Sequence, residues 1–253
     1  MNLIVKDKPR LIAIAISHSC EKVRWALDYL DIDYVEEDHA PPSHRQYTFR
    51  HDGKIVPVLV TKNEDFTNSH AILEYLNSIS ENKKLYPVDP ELCNQVDTLE
   101  MLFDEKLGGA TRTWGYYYAI QKPLAVAIAW GINAPLIERI KAILVFPLIP
   151  RLLSQMYDVT SETKDLALAG IREVFEIVNQ ELDSGKQLLV GDRLSAADIT
   201  FAALVSPILR PHNHPIYNSD LSKMSTERLD IVKDLRETSA GKFALRLYQQ
   251  YRI

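Results

Sequence analysis

The apolar residues from Leu11 to Ile16 form a continuous run short enough for a buried strand. Directly after it Val23, Ala26, Leu27 and Leu30 recur at helical spacing. The change of period predicts a strand followed by a helix. Tyr34 to Glu37 is a weaker strand signal, and a polar loop with Pro41, Pro42, His44, Arg45 and His51 follows it. Asp52-Gly53 marks a turn, after which Ile55 to Val60 resumes a β-branched run. A short strand over Asp65 to Thr67 pairs with that run as a hairpin across Lys62 and Asn63. Ala71, Ile72, Tyr75, Leu76 and Ile79 then lie on one helical face, with Asn68 or Ser69 in the N-cap position. The predicted order is β-α-β, a loop, then β-β-α.

After Pro87 and Pro90 the strand signals stop. Helical spacing runs from Glu91 to Tyr118 and from Pro135 to Met156, the second with a break near Pro147 and Pro150. Thr163 to Leu182 is amphipathic through Leu166, Ala169, Val174, Ile177 and Val178, and helices over Asp198 to Leu209 and Glu227 to Tyr251 complete an all-helical half. The change in pattern predicts two domains, 1–85 and 91–253. No internal repeat is present. One helix start is well specified: Ser195-Ala196-Ala197-Asp198 is a capping box, with Leu194 and Ile199 at the staple positions. That segment reads as structural.

Composition narrows the function. A chain of 253 residues is enough to bury a real core, since domains average roughly 150 residues. Lys plus Arg is 29 against 34 Asp plus Glu, a formal net charge of −5 without long like-sign runs, which argues against a nucleic-acid phosphate binder. Hydrophobic and charged fractions of 46% and 25% exclude a mostly disordered chain. Cys20 and Cys93 are too few for a disulfide framework or a four-thiolate zinc site, and point to a reducing compartment. The start of the chain carries Lys6, Asp7 and Lys8 before a short apolar run with no small-residue cleavage site, so a cytoplasmic protein is expected. The most apolar stretch, Pro123 to Leu153, is interrupted by Glu138, Arg139, Lys141, Arg151 and several prolines. It falls short of the ~20 apolar residues that span a membrane. It is expected to be buried or cleft-lining helix.

Three small constellations carry candidate chemistry. Ser17-His18-Ser19-Cys20 joins the first strand to the first helix, whose free N–H groups and dipole favour negative charge. A hydroxyl there can donate to a bound thiolate and keep it deprotonated. The plainer reading is that Ser17 or Ser19 is an N-cap and Cys20 is buried. Val56-Pro57 opens the third strand, where a cis bond turns the Val56 backbone outward as a hydrogen-bonding edge. Thr67-Asn68-Ser69 begins the next helix, a second positive end able to hold a carboxylate through the Ser69 hydroxyl and backbone N–H, or simply a cap.

Taken together, Leu11 through Ile79 resembles the thioredoxin-like domain of the glutathione S-transferases of cytosolic type. Ser17-x-x-Cys20-x-Lys22-Val23-Arg24-Trp25-Ala26-Leu27 looks like the strand-one to helix-one motif of serine-type members. Gly53-Lys54-Ile55-Val56-Pro57-Val58-Leu59 is similar to the cis-proline segment, and Asn68-Ser69-x-Ala71-Ile72-Leu73-x-Tyr75-Leu76 to the γ-glutamyl-binding segment. Leu189-Val190-Gly191-Asp192 with Leu194 to Ile199 is similar to the late core motif of the helical domain. Residues 100–160 carry no such match. The resemblance implies an α/β plus all-α protein: a thioredoxin-like β-α-β-α-β-β-α domain that binds glutathione, then an all-helical domain for a hydrophobic co-substrate.

The resemblance also implies roles. Ser17 takes the catalytic serine position, with Ser19 and Cys20 as alternatives. The backbone at Val56, beside Pro57, meets the cysteinyl part of glutathione; Ser69 with Asn68 meets the γ-glutamyl part; Lys54 meets the glycyl carboxylate. Asn68 departs from the family pattern, in which an acid neutralises the γ-glutamyl ammonium. No Asn-Pro leads into the cis-proline segment either, and His44, Arg45 and His51 occupy that loop as further anion contacts. Trp114, Tyr117 and Tyr118 are the candidates for the co-substrate, although four aromatics among five residues cannot all face one way on a helix. The expected activity is transfer of the glutathione thiolate to a small hydrophobic electrophile, as in detoxification, by a homodimer. Two alternatives stand beside it: a non-catalytic ligand-binding or interaction protein of the same fold, and a Cys20-dependent thiol transferase or peroxidase. No metal is expected, and His212 and His214 read as a solvated loop.

Overall fold

In the computed structural model of the protein, which describes residues 8–183, 185–217 and 220–252, the first apolar run becomes strand β1 (Arg10–Ala13). Lys6 and Asp7 lie outside the described residues. β1 stops short of Ile16 because the chain turns there, the Ser17 N–H donating to the Ile14 carbonyl at 2.9 Å. Helix α1 (His18–Tyr29) follows, then β2 (Val35–Asp38), α2 (His44–Thr48), β3 (Val58–Val60), β4 (Asp65–Phe66) and α3 (Ser69–Ile79). The sheet order is β2-β1-β3-β4. β1 runs parallel to β2, with Arg10 opposite Val35, and antiparallel to β3, with Ile12 opposite Val58; β4 closes the hairpin with Val60 opposite Asp65. This is the mixed four-stranded sheet of a thioredoxin-like domain. α1 and α3 pack on each other, and Val23, Leu27, Ile72, Leu73 and Leu76 are fully buried.

The polar loop contains a helix that the hydrophobic pattern does not show. Five residues, His44–Thr48, form α2, and a 3-10 turn over Phe49–His51 continues it. So short a helix is held by tertiary contacts and not by propensity. Thr48 is buried, Tyr47 stacks on His39 with ring centroids 3.5 Å apart, and the Gly53 N–H donates to the Thr48 carbonyl at 2.9 Å. Gly53 fits because a β-carbon there would stand 2.6 Å from Val58 Cγ2.

The described chain divides into two compact units, 1–83 with 119–152 and 84–118 with 153–253. Residues 119–152 are tied to the sheet unit by polar contacts. Glu138 Oε1 lies 3.0 Å from His39 Nδ1, Glu138 Oε2 accepts the Ala40 N–H at 2.9 Å, and Asn133 Nδ2 donates to Asp38 Oδ2 at 3.2 Å. The apolar stretch is therefore not the buried helix its composition suggests. Its prolines cut it into α5 (Pro123–Trp130), α6 (Leu136–Leu144) and a 3-10 turn at Phe146–Leu148 that leads into α7 (Ile149–Tyr157). Ala134, Ala142 and Glu138 pack inward, whereas Leu136, Ile137 and Leu144 face solvent.

The other unit is helical: α4 (Pro90–Ala119) to residue 118, then α8 (Ser161–Leu182), α9 (Ala196–Leu209), α10 (Thr226–Glu237) and α11 (Ser239–Tyr251). α9 is apolar around its whole circumference and almost wholly buried, as befits a central helix. Phe201 on α9 meets Phe103, Phe175 and Phe243 from three other helices, at 5.3, 5.6 and 6.2 Å. The buried seam of α8 is Lys164, Ala167, Ile171, Val174, Phe175 and Val178, so Leu166 and Ala169 point outward, one position off the predicted face. The single helix predicted over Glu227 to Tyr251 is two, broken where the Thr238 side chain caps α11 by accepting the Gly241 N–H. The turn is tight enough that a β-carbon on Gly241 would lie 1.9 Å from the Leu235 carbonyl oxygen. The capping box at Ser195 and Asp198 is present as predicted.

Candidate functional site

Ser17 has extended backbone and is the N-cap of α1, its Oγ accepting the Cys20 N–H at 3.3 Å. The capping bond uses a lone pair of the hydroxyl oxygen, and the same side chain is hydrogen-bonded to the Cys20 thiol. Ser17 and Ser19 are half-buried. Cys20 beneath them is fully buried, and that burial pushes its thiol up to about 11, against the lowering effects of Arg24 and of hydrogen bonds from Ser17 and Ile14. Cys20 is thus a protonated core thiol at neutral pH, which speaks against it as the nucleophile. Cys93 is half-exposed. A thiol reagent such as Ellman's should titrate one cysteine in the folded protein and two after denaturation, and rapid loss of both folded-state thiols would contradict the assignment.

The turn that presents Ser17 is braced by Arg24, a residue quoted in the motif without a role. Its guanidinium donates from Nη2 to the Ile14 carbonyl at 3.2 Å, and its Nε to Glu36 Oε1 at 2.5 Å. Glu21 and Asp38 lie 3.5 and 3.6 Å away from the same group. Burial, then the neighbouring Glu36, push the Asp38 carboxyl up to about 6, opposed by Arg24. Ile14 thus receives both the Ser17 N–H and the Arg24 guanidinium, so α1 and β2 are fastened together directly behind the helix end.

Val56-Pro57 is a cis peptide bond, and both residues are buried. The ladder between β1 and β3 ends at Val58, so the Val56 backbone lies beyond its last pair. Lys54 is exposed. On α3 it is Asn68 that caps the helix, its Oδ1 accepting the Ala71 N–H at 2.9 Å, while Ser69 is the first helical residue and half-buried. The alternative anion contacts separate. His44 is held down to about 4 by burial and by Arg45 and His39, so it is neutral at pH 7; His51 Nδ1 sits 2.6 Å from Asp65 Oδ2; Arg45 is exposed.

The aromatic residues of α4 point in different directions. Trp114 is fully buried and Tyr118 nearly so, with Arg228 stacked over both rings at 5.2 Å. The Tyr118 hydroxyl donates to Glu227 Oε1 at 3.1 Å, and Glu227 also holds Lys164 Nζ at 2.9 Å. Burial, then the Glu227 hydrogen bond, push Tyr118 up to about 12, and burial, then Arg210, bring Arg228 down to about 10. Tyr117 is half-buried beneath Lys164 at 5.0 Å. Within this unit the three predicted residues are not one open apolar slot: Trp114 and Tyr118 pack edge to face with their centroids 5.0 Å apart and share one guanidinium, and Tyr117 is the most accessible of them. Arg228 and Glu227 escape a sequence reading because their partners lie far away along the chain. His214 is likewise a structural residue and not part of a solvated loop, because it is buried and its Nδ1 accepts the Ile216 and Tyr217 N–H groups at 3.1 and 3.0 Å.

Residues 11–84 match the N-terminal domain of glutathione S-transferase, and residues 138–220 match the C-terminal domain. Glutathione S-transferase U6 of Arabidopsis thaliana is 28% identical over 103 residues, 40% of this chain; the match spans 46% of that relative's length. Among solved structures, the β-etherase LigF from Sphingobium sp. strain SYK-6 is similar with a TM-score of 0.63 at 17% identity, covering 94% of this chain and 99% of that one. A glutathione S-transferase of Methylobacillus flagellatus with GSH bound gives 0.54 at 18% identity over 94% and 98%. At these identities the structural likeness is one of fold.

Proposed function

The chain belongs to the glutathione S-transferase family, and from that premise we propose that it binds glutathione at the N-terminus of α1 and transfers the thiolate to a small hydrophobic electrophile. The observation that carries this reading is the cap geometry. Ser17 caps α1 with its oxygen, which places its hydroxyl at the positive end of a twelve-residue helix, where it can turn from the buried Cys20 thiol to donate to an incoming sulfur. A free thiol has a pKa near ~8.5, and helix ends with cationic neighbours lower such values to ~3.5–7.5. The bound thiol releases its proton to solvent, the thiolate attacks the electrophilic carbon, an S–C bond forms, and the leaving group departs with the bonding pair. The remaining acceleration comes from holding two reactants together.

The other parts of glutathione are assigned to the unpaired Val56 edge, to Ser69 at the start of α3, and to Lys54 for the glycyl carboxylate. GSH is bound in the Methylobacillus flagellatus relative, which supports glutathione as the co-substrate here. Among the aromatic candidates for the electrophile, Tyr117 is the most accessible within the helical unit. A cytoplasmic homodimer is part of the same proposal, on family resemblance alone. A second reading, a non-catalytic ligand binder of the same fold, draws on Asn68: its amide caps α3 and carries no charge to neutralise the γ-glutamyl ammonium. Calorimetry separates the two. Saturable heat with glutathione, in the high micromolar to millimolar range because of Asn68, is the expected result. No heat at millimolar ligand would favour the binder.

A further inference from the structure

Helix α6 is built the wrong way round for a helix of a closed globular unit. Leu136, Ile137, Ile140, Ile143 and Leu144 fall within an arc of roughly 120° at about 100° per residue, and all five are exposed, Leu144 by 73% and Leu136 by 69%. The opposite side, Glu138 and Ala142, is the one that packs inward. Ile128 of α5 and Leu148 of the following turn are exposed as well, at 57% and 58%. An exposed aliphatic helix face of this kind marks an interaction site.

Charge indicates what that is. Arg139 and Lys141 stand one on each flank of the aliphatic arc, and both are exposed. The Arg139 stem lies over Gly131, where a β-carbon would be 3.1 Å from its Cγ, so the guanidinium is carried at the side of the helix. Residues 119–152 hold four basic residues, Lys122, Arg139, Lys141 and Arg151, and one acid, Glu138. That acid is turned inward onto His39 and Ala40. Every charge this segment shows to solvent is therefore positive, in a chain whose net charge is −5.

We infer that α6 and its neighbours form a docking surface for an anionic lipid bilayer, with the aliphatic arc in the acyl boundary and Arg139 and Lys141 at the level of the phosphates. An apolar stripe bordered by cations is the pattern of helices that lie in the membrane interface. Among the described residues no helix is long and apolar enough to cross a membrane. A second copy of the chain fits less well: a two-fold contact through this face brings the same basic flanks together with no exposed acid of the segment to meet them.

The test is flotation of the full chain with vesicles of phosphatidylcholine containing phosphatidylglycerol, against pure phosphatidylcholine, at low and high salt. The protein is expected to float with the anionic vesicles at low salt, and about tenfold less with neutral vesicles or at high salt. Ile140→Glu should abolish flotation. Arg139→Glu combined with Lys141→Glu should lower it about tenfold, with the circular-dichroism spectrum of both variants unchanged because these side chains are outside the core. The double charge variant decides the matter should Ile140→Glu fail to fold. Equal binding to both vesicle types, no binding to either, or a dimer in sedimentation that Ile140→Glu splits without any vesicle binding would each overturn the inference.

Discussion

Ser17→Ala should lower kcat/KM for glutathione and an activated aryl halide by about 100-fold, with the affinity for glutathione changed by less than about threefold. The hydroxyl acts on the sulfur only as it becomes an anion, so its loss falls on turnover and not on ground-state binding. Ser17 is also the cap of α1, and losing the capping bond costs about 1 kcal/mol of stability. Ser17→Asp distinguishes the two roles: it restores a capping acceptor and, ionised, has no proton to donate, so stability should recover while turnover stays low. Unchanged turnover in Ser17→Ala would remove Ser17 from the chemistry.

Asp198→Ala should produce the largest loss of stability. Asp198 is fully buried and accepts the Leu189 N–H at 2.9 Å, the Ser195 N–H at 2.8 Å and the Ser195 hydroxyl at 2.7 Å. Truncation strands all three donors at the head of the central helix, a cost of about 3 kcal/mol or more, seen as a fall in the urea midpoint. The pH dependence has a definite sign. Burial pushes the Asp198 carboxyl up to about 6 from an ordinary value near 4. Between about pH 4 and 6 the folded protein holds a proton that the unfolded chain has released, so the stability this residue contributes falls as pH rises through that window. The gap in stability between wild type and Asp198→Ala should therefore narrow from about pH 5 to pH 7 and stay constant above. A widening gap would place the carboxyl below its usual range.

Legibility in the sequence followed the reach of each interaction. β1, α1, the β3–β4 hairpin and the Ser195 capping box are set by neighbours within a few positions, so period and cap residues reveal them. α2 is hidden because five polar residues carry no period, and it exists by virtue of His39 and Thr48 packing. The break at Thr238 is hidden because neither Gly nor Pro stands at the junction itself, and the crossing depends on Gly241 three residues later. Glu138 among isoleucines looks like a surface charge, yet its partners are His39 and Ala40, reached only in three dimensions. Within the candidate site, the position of Ser17 and the cap at Asn68 follow from local sequence. The Arg24 brace and the contact of Arg228 with Trp114 and Tyr118 depend on tertiary partners, and no spacing rule announces them.

The central claim is that the α1 end converts a bound thiol into a thiolate. The most direct measurement is the ultraviolet absorbance of that thiolate in the protein–glutathione complex as pH is raised, in the native protein and in Ser17→Ala. The native complex should titrate at least about one unit below the free thiol's ~8.5, and Ser17→Ala should return the midpoint toward the free value. A native complex that titrates like free glutathione would contradict the account.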